Sequence, residues 1–217
     1  MFMSKYAHPY SRSILGSASL FLFILWTILV KHHASFITTV DQGAINLLHP
    51  LIDPTNTRII SSISNLASPI MMTVYALAIA AYLGHKQQFR TGLNFLILFS
   101  AFNLLNHVVK SLIERPRPLH RLVSIGGFSF PSGHTFATII LVYSITALTK
   151  RFDFSRKSQI TIAIIGWLLI LLVAFTRIFL HVHFFSDTIG SLLLATASWQ
   201  LFTATSELFR KHKKLST

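Results

Sequence analysis

Residues 160–180 read ITIAIIGWLLILLVAFTRIFL, a run of 21 positions whose single charge, Arg177, comes in the last turn. A helix rises about 1.5 Å per residue, so about 20 apolar residues in a row cross the roughly 30 Å of hydrocarbon in a bilayer. A water-facing helix of that length would need a polar face, which this run lacks. Similar runs lie on both sides of it in the chain, at 14–30, 66–84, 91–113, 135–149 and 187–208. Together the six predict an all-α polytopic membrane protein, one domain over residues 1–217 built as a bundle of six transmembrane helices. The run at 135–149 is short and needs its polar flank, 132–134, at the interface. The first run is followed by Lys31-His32-His33 and not by a small-residue cleavage site, so it reads as a retained span and not a cleaved signal peptide.

Composition agrees. Hydrophobic residues make up 52% of the 217 and charged residues 12%, against about 25% in a soluble domain, which excludes a water-soluble globular protein. The chain has 19 Lys and Arg against 6 Asp and Glu, a formal +13. Those cations fall in short groups between apolar runs and do not form a stripe with exposed aromatics, so topology and an anionic ligand explain them better than nucleic acid. Lys5, Arg12, Lys86, Arg90, Lys150, Arg151, Arg156, Lys157, Arg210, Lys211, Lys213 and Lys214 fall on one side of the bundle, which the positive-inside rule makes cytoplasmic together with both termini. Lys31, Arg58, Lys110, Arg115, Arg117, Arg121 and Arg177 fall on the other, at a density that the rule does not explain. There is no cysteine, hence no disulfide, thiolate metal site or cysteine nucleophile.

The longest connection, 32–65, carries Ile37, Val40, Ala44, Leu47, Leu48 and Leu51 three and four apart before Pro54. This fits an amphipathic helix on the outer surface, or equally a loop packed over the bundle.

Three polar groups carry the chemistry. The first is Lys110-Ser-Leu-Ile-Glu-Arg-Pro-Arg117-Pro118, where Pro116 and Pro118 stop the helix and swing Arg117 back towards the Lys110 end. Taken alone, such cations also serve as snorkelling anchors. The second is Phe130-Pro-Ser132-Gly133-His134-Thr135, a turn opening a helix whose free N–H groups and positive dipole end suit a phosphate. Ser132 is placed to cap that helix and donate to an anion, and Gly133 lets an anion approach the backbone.

The third is Thr176-Arg177-Ile-Phe-Leu-His181-Val-His183-Phe-Phe-Ser-Asp187. Asp187 follows His183 by four positions, a spacing that sets a carboxylate beside an imidazole and leaves the other ring nitrogen free to attack. A plain ion pair of Asp187 with Arg177 is the non-catalytic alternative. A His181/His183 metal site would find few partners, since Asp41, Asp53, Glu114 and Asp187 are the only outer-side carboxylates. In the assigned topology all three groups converge on the outer side, where a bound phosphate accounts for the surplus of cations.

Lys110-x6-Arg117-Pro118, Pro131-Ser132-Gly133-His134 and Arg177-x5-His183-x3-Asp187 resemble, in order and spacing, the three-part signature of the type 2 phosphatidic acid phosphatase family of membrane lipid phosphate phosphatases, over about residues 60–210. That family usually has Ser where this chain has Thr176, Gly where it has His181, and often Pro where it has Phe185. The resemblance implies that His183 attacks phosphorus to give a phosphohistidine, that Asp187 orients its ring, and that His134 protonates the leaving oxygen and then activates water. It also implies that Lys110, Arg117, Ser132, Gly133 and Arg177 hold the phosphate oxygens, with no metal and no cofactor. The implied partners are the bilayer and a lipid phosphate: undecaprenyl diphosphate, slightly favoured, phosphatidylglycerol phosphate or phosphatidic acid. The implied place is the cell membrane, with the site on the extracytoplasmic side. A transporter for an anionic solute is the rival reading, with Asn94, Asn103, Asn106 and His107 in the third span as its best evidence.

Overall fold

The structure, a computed structural model, describes residues 9–215, and among them it is helical without strands. Lys5, and the side chains of Arg210, Lys213 and Lys214, lie outside the described residues. The helices are α1 (Pro9–Lys31), α2 (Ser35–Leu48), α3 (Pro54–Leu66), α4 (Pro69–His85), α5 (Phe89–Ile113), α6 (Gly133–Arg151), α7 (Arg156–Phe179) and α8 (Phe185–Leu215), with a 3₁₀ turn over His49–Leu51.

Local chemistry sets their starts. Pro54 and Pro69 open α3 and α4, where a missing N–H loses nothing, and Asp53 and Ser68 accept from the N–H groups of Asn56 (2.8 Å) and Met71 (3.3 Å). Ser155 caps α7 through Ser158 N–H (3.1 Å).

Among the described residues three helices are long and apolar enough to cross a bilayer, namely Tyr10–Lys31, Phe89–Ile113 and Arg156–Phe179. A fourth candidate is the pair Pro54–Leu66 and Pro69–His85, bent by 41° at the break between them. The second apolar run thus belongs to an elbow of two helices and begins at Pro69, three residues later than the apolar run at 66–84. α6 and α8, the predicted fourth and sixth spans, fall outside this set by composition, because hydroxyl, histidine and charged residues dilute their apolar ones. α6 is also the more enclosed of the two. Its Phe136, Ala137, Ile139 and Ile140 are buried and packed among neighbouring helices, so it shows little of itself to lipid. Its Thr138, Thr146 and Thr149 return their hydroxyls to carbonyls of the same helix. The outer helices instead expose Ile14, Phe21, Ile24, Leu168 and Leu171, the inverse of a soluble protein's pattern.

α1 runs alongside α8, and Arg12 meets Glu207 (3.3 Å), Gln200 and Thr203 near the far end of that helix. At the opposite end the Trp26 indole donates to the Ser186 carbonyl (2.9 Å). A β-carbon on Gly190 would sit 2.3 Å from the ring of Phe130, so this glycine lets the loop before α6 lie flat on α8.

The connection after α1 is helical. α2 buries Ile37 and Asp41, with Val40, Ala44 and Leu48 half-buried beside them. Leu47 and Leu51, which the spacing assigned to the apolar stripe, face outward instead.

Candidate active site

The three polar groups meet at one end of the bundle. α5 stops at Ile113, where Glu114 takes a left-handed conformation (φ 53°) and turns the chain into the proline loop. That loop brings Arg117 onto His183: its Nη1 lies 3.1 Å from His183 Nε2 and donates to the Val182 carbonyl at 2.7 Å. The rest of the Arg117 guanidinium donates to the carbonyls of Gly126 and Gly127. Lys110, on the last turn of α5, donates to the carbonyls of Phe128 and Ser129 (3.0 and 3.1 Å).

His183 is buried in the turn between α7 and α8. Its Nδ1 faces Asp187 Oδ2 at 3.3 Å, the same oxygen that accepts from Phe184 N–H at 2.9 Å. An arginine can only donate, so the Arg117 contact makes Nε2 the unprotonated, accepting nitrogen and assigns the ring proton to Nδ1, facing Asp187. Burial first, and then the cations Lys110, Arg177 and Arg117, hold protonation of this ring well below the usual histidine range. A neutral imidazole with an unprotonated Nε2 is the form that can attack an electrophile.

Arg177 is almost wholly buried at the end of α7. Its Nη1 donates to Ser64 Oγ of α3, while Nε and Nη2 have no partner. Two buried, unspent donors of a permanent cation are a strong demand for an anion. His134 opens α6 with Arg177, His183, Arg117 and Lys110 as electrostatic neighbours.

Ser132 departs from expectation. It precedes α6 but makes no side-chain cap; its Oγ accepts instead from Thr135 Oγ1 at 3.0 Å, and its N–H donates to the Asp187 carbonyl. The first N–H groups of α6 are therefore not taken up by a capping side chain. At Gly133 a β-carbon would meet Asn106 and Pro69 at 3.8 Å, ordinary contact distance, so packing by itself does not demand glycine there.

Asp187 is not the partner of Arg177. Its Oδ1 pairs with Arg115 at 2.5 Å, and Arg115 also binds Asp41 Oδ2 of α2 at 2.8 Å. Sequence reasoning passed over both: Arg115 looked like one more outer cation, and Asp41, 146 residues before Asp187, carried no motif at all. Among the described residues no group of three or more histidine, aspartate or glutamate side chains is arranged to hold a metal ion. Asn103 donates to the Phe99 carbonyl of its own helix at 2.8 Å, not across to a neighbouring helix.

His181 has φ 52°, in the left-handed region where glycine is favoured. The glycine usual at this position in similar proteins thus has a backbone reason, and His181 adopts the same turn at a cost on the order of 1 kcal/mol.

Residues 91–211 match the family model described as the PAP2 superfamily. Phosphatidylglycerophosphatase B of Bacillus subtilis (strain 168) is 29% identical over 199 residues, covering 90% of this chain and 97% of that one. Among solved structures, a transmembrane PAP2-type phosphatidylglycerolphosphate phosphatase from Bacillus subtilis matches with a TM-score of 0.78 at 24% identity, over 90% of this chain and 96% of the other. Aquifex aeolicus LpxE matches with a TM-score of 0.53 at 22% identity, over 73% and 92%. At those identities the two structures speak to the fold, which is this one. With its three motifs gathered at one end of a helical bundle and more than half its length matched by the family model, the chain belongs to the PAP2 superfamily, the type 2 phosphatidic acid phosphatases, and is a membrane lipid phosphatase.

Proposed function

We propose that the protein hydrolyses the phosphomonoester of phosphatidylglycerol phosphate, or a chemically similar lipid phosphate or diphosphate, at the outer face of the cell membrane without a metal. The observation that carries this reading is the buried Arg177, with two partnerless donors, beside Lys110, Arg117 and a His183 whose unprotonated Nε2 accepts from Arg117. Phosphatidylglycerol phosphate comes ahead of a polyprenyl diphosphate because the relative at 29% identity is named for it.

The reaction has two halves. His183 Nε2 attacks phosphorus, a P–N bond forms and the bond to the leaving lipid oxygen breaks, while His134 gives that oxygen its proton. The imidazole, with Nδ1–H held by Asp187, is then positively charged. Water, deprotonated by His134, attacks the phosphohistidine, the P–N electron pair returns to Nε2 and inorganic phosphate leaves. Arg177, Arg117, Lys110, the N–H groups at the α6 start and Ser132 stabilise the charge on the equatorial oxygens, the work a metal does in other phosphoryl transfers.

In the same reading the bundle has six spans, with the α3–α4 elbow as the second, and both chain ends are cytoplasmic. Supporting this, the α4–α5 turn at Gln87 to Arg90 lies near Arg151 of α6, at the end opposite the site. Because the chain has no cysteine, single cysteines report topology cleanly. In intact cells Ser124→Cys should react with a membrane-impermeant maleimide and Gln87→Cys should not; the reverse pattern overturns the orientation.

Phosphate release by the purified protein from phosphatidylglycerol phosphate, a polyprenyl diphosphate and phosphatidic acid tests the activity. Release should survive excess EDTA and be inhibited by vanadate, a mimic of the phosphorus transition state. Loss of all activity in EDTA with recovery on adding a divalent ion would overturn the metal-free mechanism.

A further inference from the structure

The histidine–aspartate pair does not end at Asp187. Arg115 Nη1 binds Asp187 Oδ1 at 2.5 Å and Ser186 Oγ at 2.8 Å, and its Nη2 binds Asp41 Oδ2 at 2.8 Å. Asp41 in turn accepts from Ser186 twice, from the backbone N–H (2.8 Å) and from the hydroxyl (2.7 Å). The Phe184 ring lies 4.2 Å from Arg115 Cζ and covers the guanidinium. Asp41, Arg115, Ser186 and Asp187 are all buried.

We propose that Asp41 on α2 and Arg115 after α5 are positioning residues for His183, and that α2 is thereby part of the active site and not merely a cover over it. The inference rests on the reading of His183 as the nucleophile.

What Asp41 changes is the net charge beside the ring. One guanidinium facing one carboxylate is a neutral pair, and Asp187 bound to Arg115 alone would have little net charge to offer the imidazole. Asp41 makes the group two carboxylates to one guanidinium, a net −1 next to a ring that turns positive as phosphorus is attacked. Everything else charged that faces the ring opposes it: Lys110 from α5, Arg117 from the loop and Arg177 from α7. The Ser129 carbonyl and His134 complete its surroundings. Asp41 supplies the second negative charge from outside the span that the family model matches, which starts at residue 91.

An alternative role is simple anchorage, with Asp41 tying α2 to the start of α8. Steady-state kinetics of the full chain in mixed micelles with phosphatidylglycerol phosphate separate the two. Asp41→Asn should lower kcat by about 10- to 100-fold, the scale found for outer partners of hydrogen-bonded imidazoles, with KM within about threefold. The acid limb of kcat/KM should move to lower pH, because removing a negative charge disfavours the protonated His183 ring. Asp41→Glu, which keeps the charge, should recover most of the loss. A lower Tm with kcat per folded molecule and the acid limb both as in wild type means anchorage and overturns the proposal.

Should Asp41→Asn fail to fold, Arg115→Lys carries the test, since it keeps the cation and loses the fork that spans both carboxylates. A similar fall in kcat at constant KM supports positioning, and wild-type kcat overturns it. Two controls tell the failures apart. If wild type releases no phosphate, or His183→Ala still does, the reading of the nucleophile has failed and the inference falls with it. If both controls behave and Asp41→Asn turns over like wild type, only the positioning role has failed.

Discussion

The two ends of the bundle use the same residue types in opposite ways. At the end holding the α4–α5 and α6–α7 turns, Lys86, Arg90, Lys150, Arg151, Arg156 and Lys157 are exposed. At the other end Arg115 and Arg177 are buried, and Lys110 and Arg117 are spent on loop carbonyls and a histidine nitrogen. An exposed cation is solvated and screened whatever its exact place, so it contributes to orientation by number. A buried one has to be met atom by atom. Net charge is therefore a poor guide to which arginine matters, and burial with named partners is a good one.

Substitutions at the site end should break this contrast most sharply. His183→Ala should abolish phosphate release while the protein still inserts, and Asp187→Asn should lower kcat by about 10⁴, the loss seen when an imidazole's orienting carboxylate is neutralised in a serine protease. Phosphate release by the two purified variants checks both, and wild-type turnover in His183→Ala overturns the assignment. Next comes Arg177→Ala, with a loss of about 10²- to 10³-fold in kcat/KM, and Arg177→Lys should restore little of it because an ammonium cannot reproduce the planar fork.

A smaller effect concerns pH. Protonation of His183 is pushed down by burial and three cations, and in the proposed reaction the neutral ring is the attacking form. Activity that depends on it should therefore persist as pH falls through about 6.5, the ordinary histidine value, and be lost only at more acid pH. A kcat/KM profile measured from pH 4 to 8, with the substrate's second ionisation near pH 6 divided out, reports this; an enzyme limb at about 6.5 that vanishes in no other variant would contradict it. The smallest effect belongs to the opposite end. Lys86→Gln, Arg90→Gln and Lys150→Gln should leave kcat/KM within about twofold, as surface substitutions usually do.

Much of the molecule was legible because the bilayer simplifies the code. Apolar runs located α1, α5 and α7, and proline punctuation found the end of α5 to within a residue. Lys110, Arg117, Arg177, His183 and Asp187 could be grouped from the sequence because each lies on or beside a helix end. The elbow between α3 and α4 was less visible, since the Ala67-Ser68-Pro69 break lies at the edge of an apolar run. Ser64, which holds Arg177, was hidden by it. Asp41 was invisible for another reason: its partners Ser186 and Arg115 are 145 and 74 residues away, and a single carboxylate on an otherwise ordinary amphipathic stripe has no spacing to betray it.

The loop over the site is held largely by the cations it covers. Lys110, Arg117 and Arg121 donate to the carbonyls of Phe128, Ser129, Gly126, Gly127, Val182 and Ile125, and Ser129 Oγ donates to the Pro116 carbonyl. In the proposed reading, a phosphoryl group that binds Lys110 and Arg117 trades places with these peptide oxygens, while the unspent donors of Arg177 give up no partner. The same trade runs backward when phosphate departs, since the carbonyls wait within reach to take the donors back. In the same reading a site that holds Lys110, Arg117 and Arg177 can in this way let go of a doubly charged product, and a catalyst that turns over many lipids needs release as much as capture.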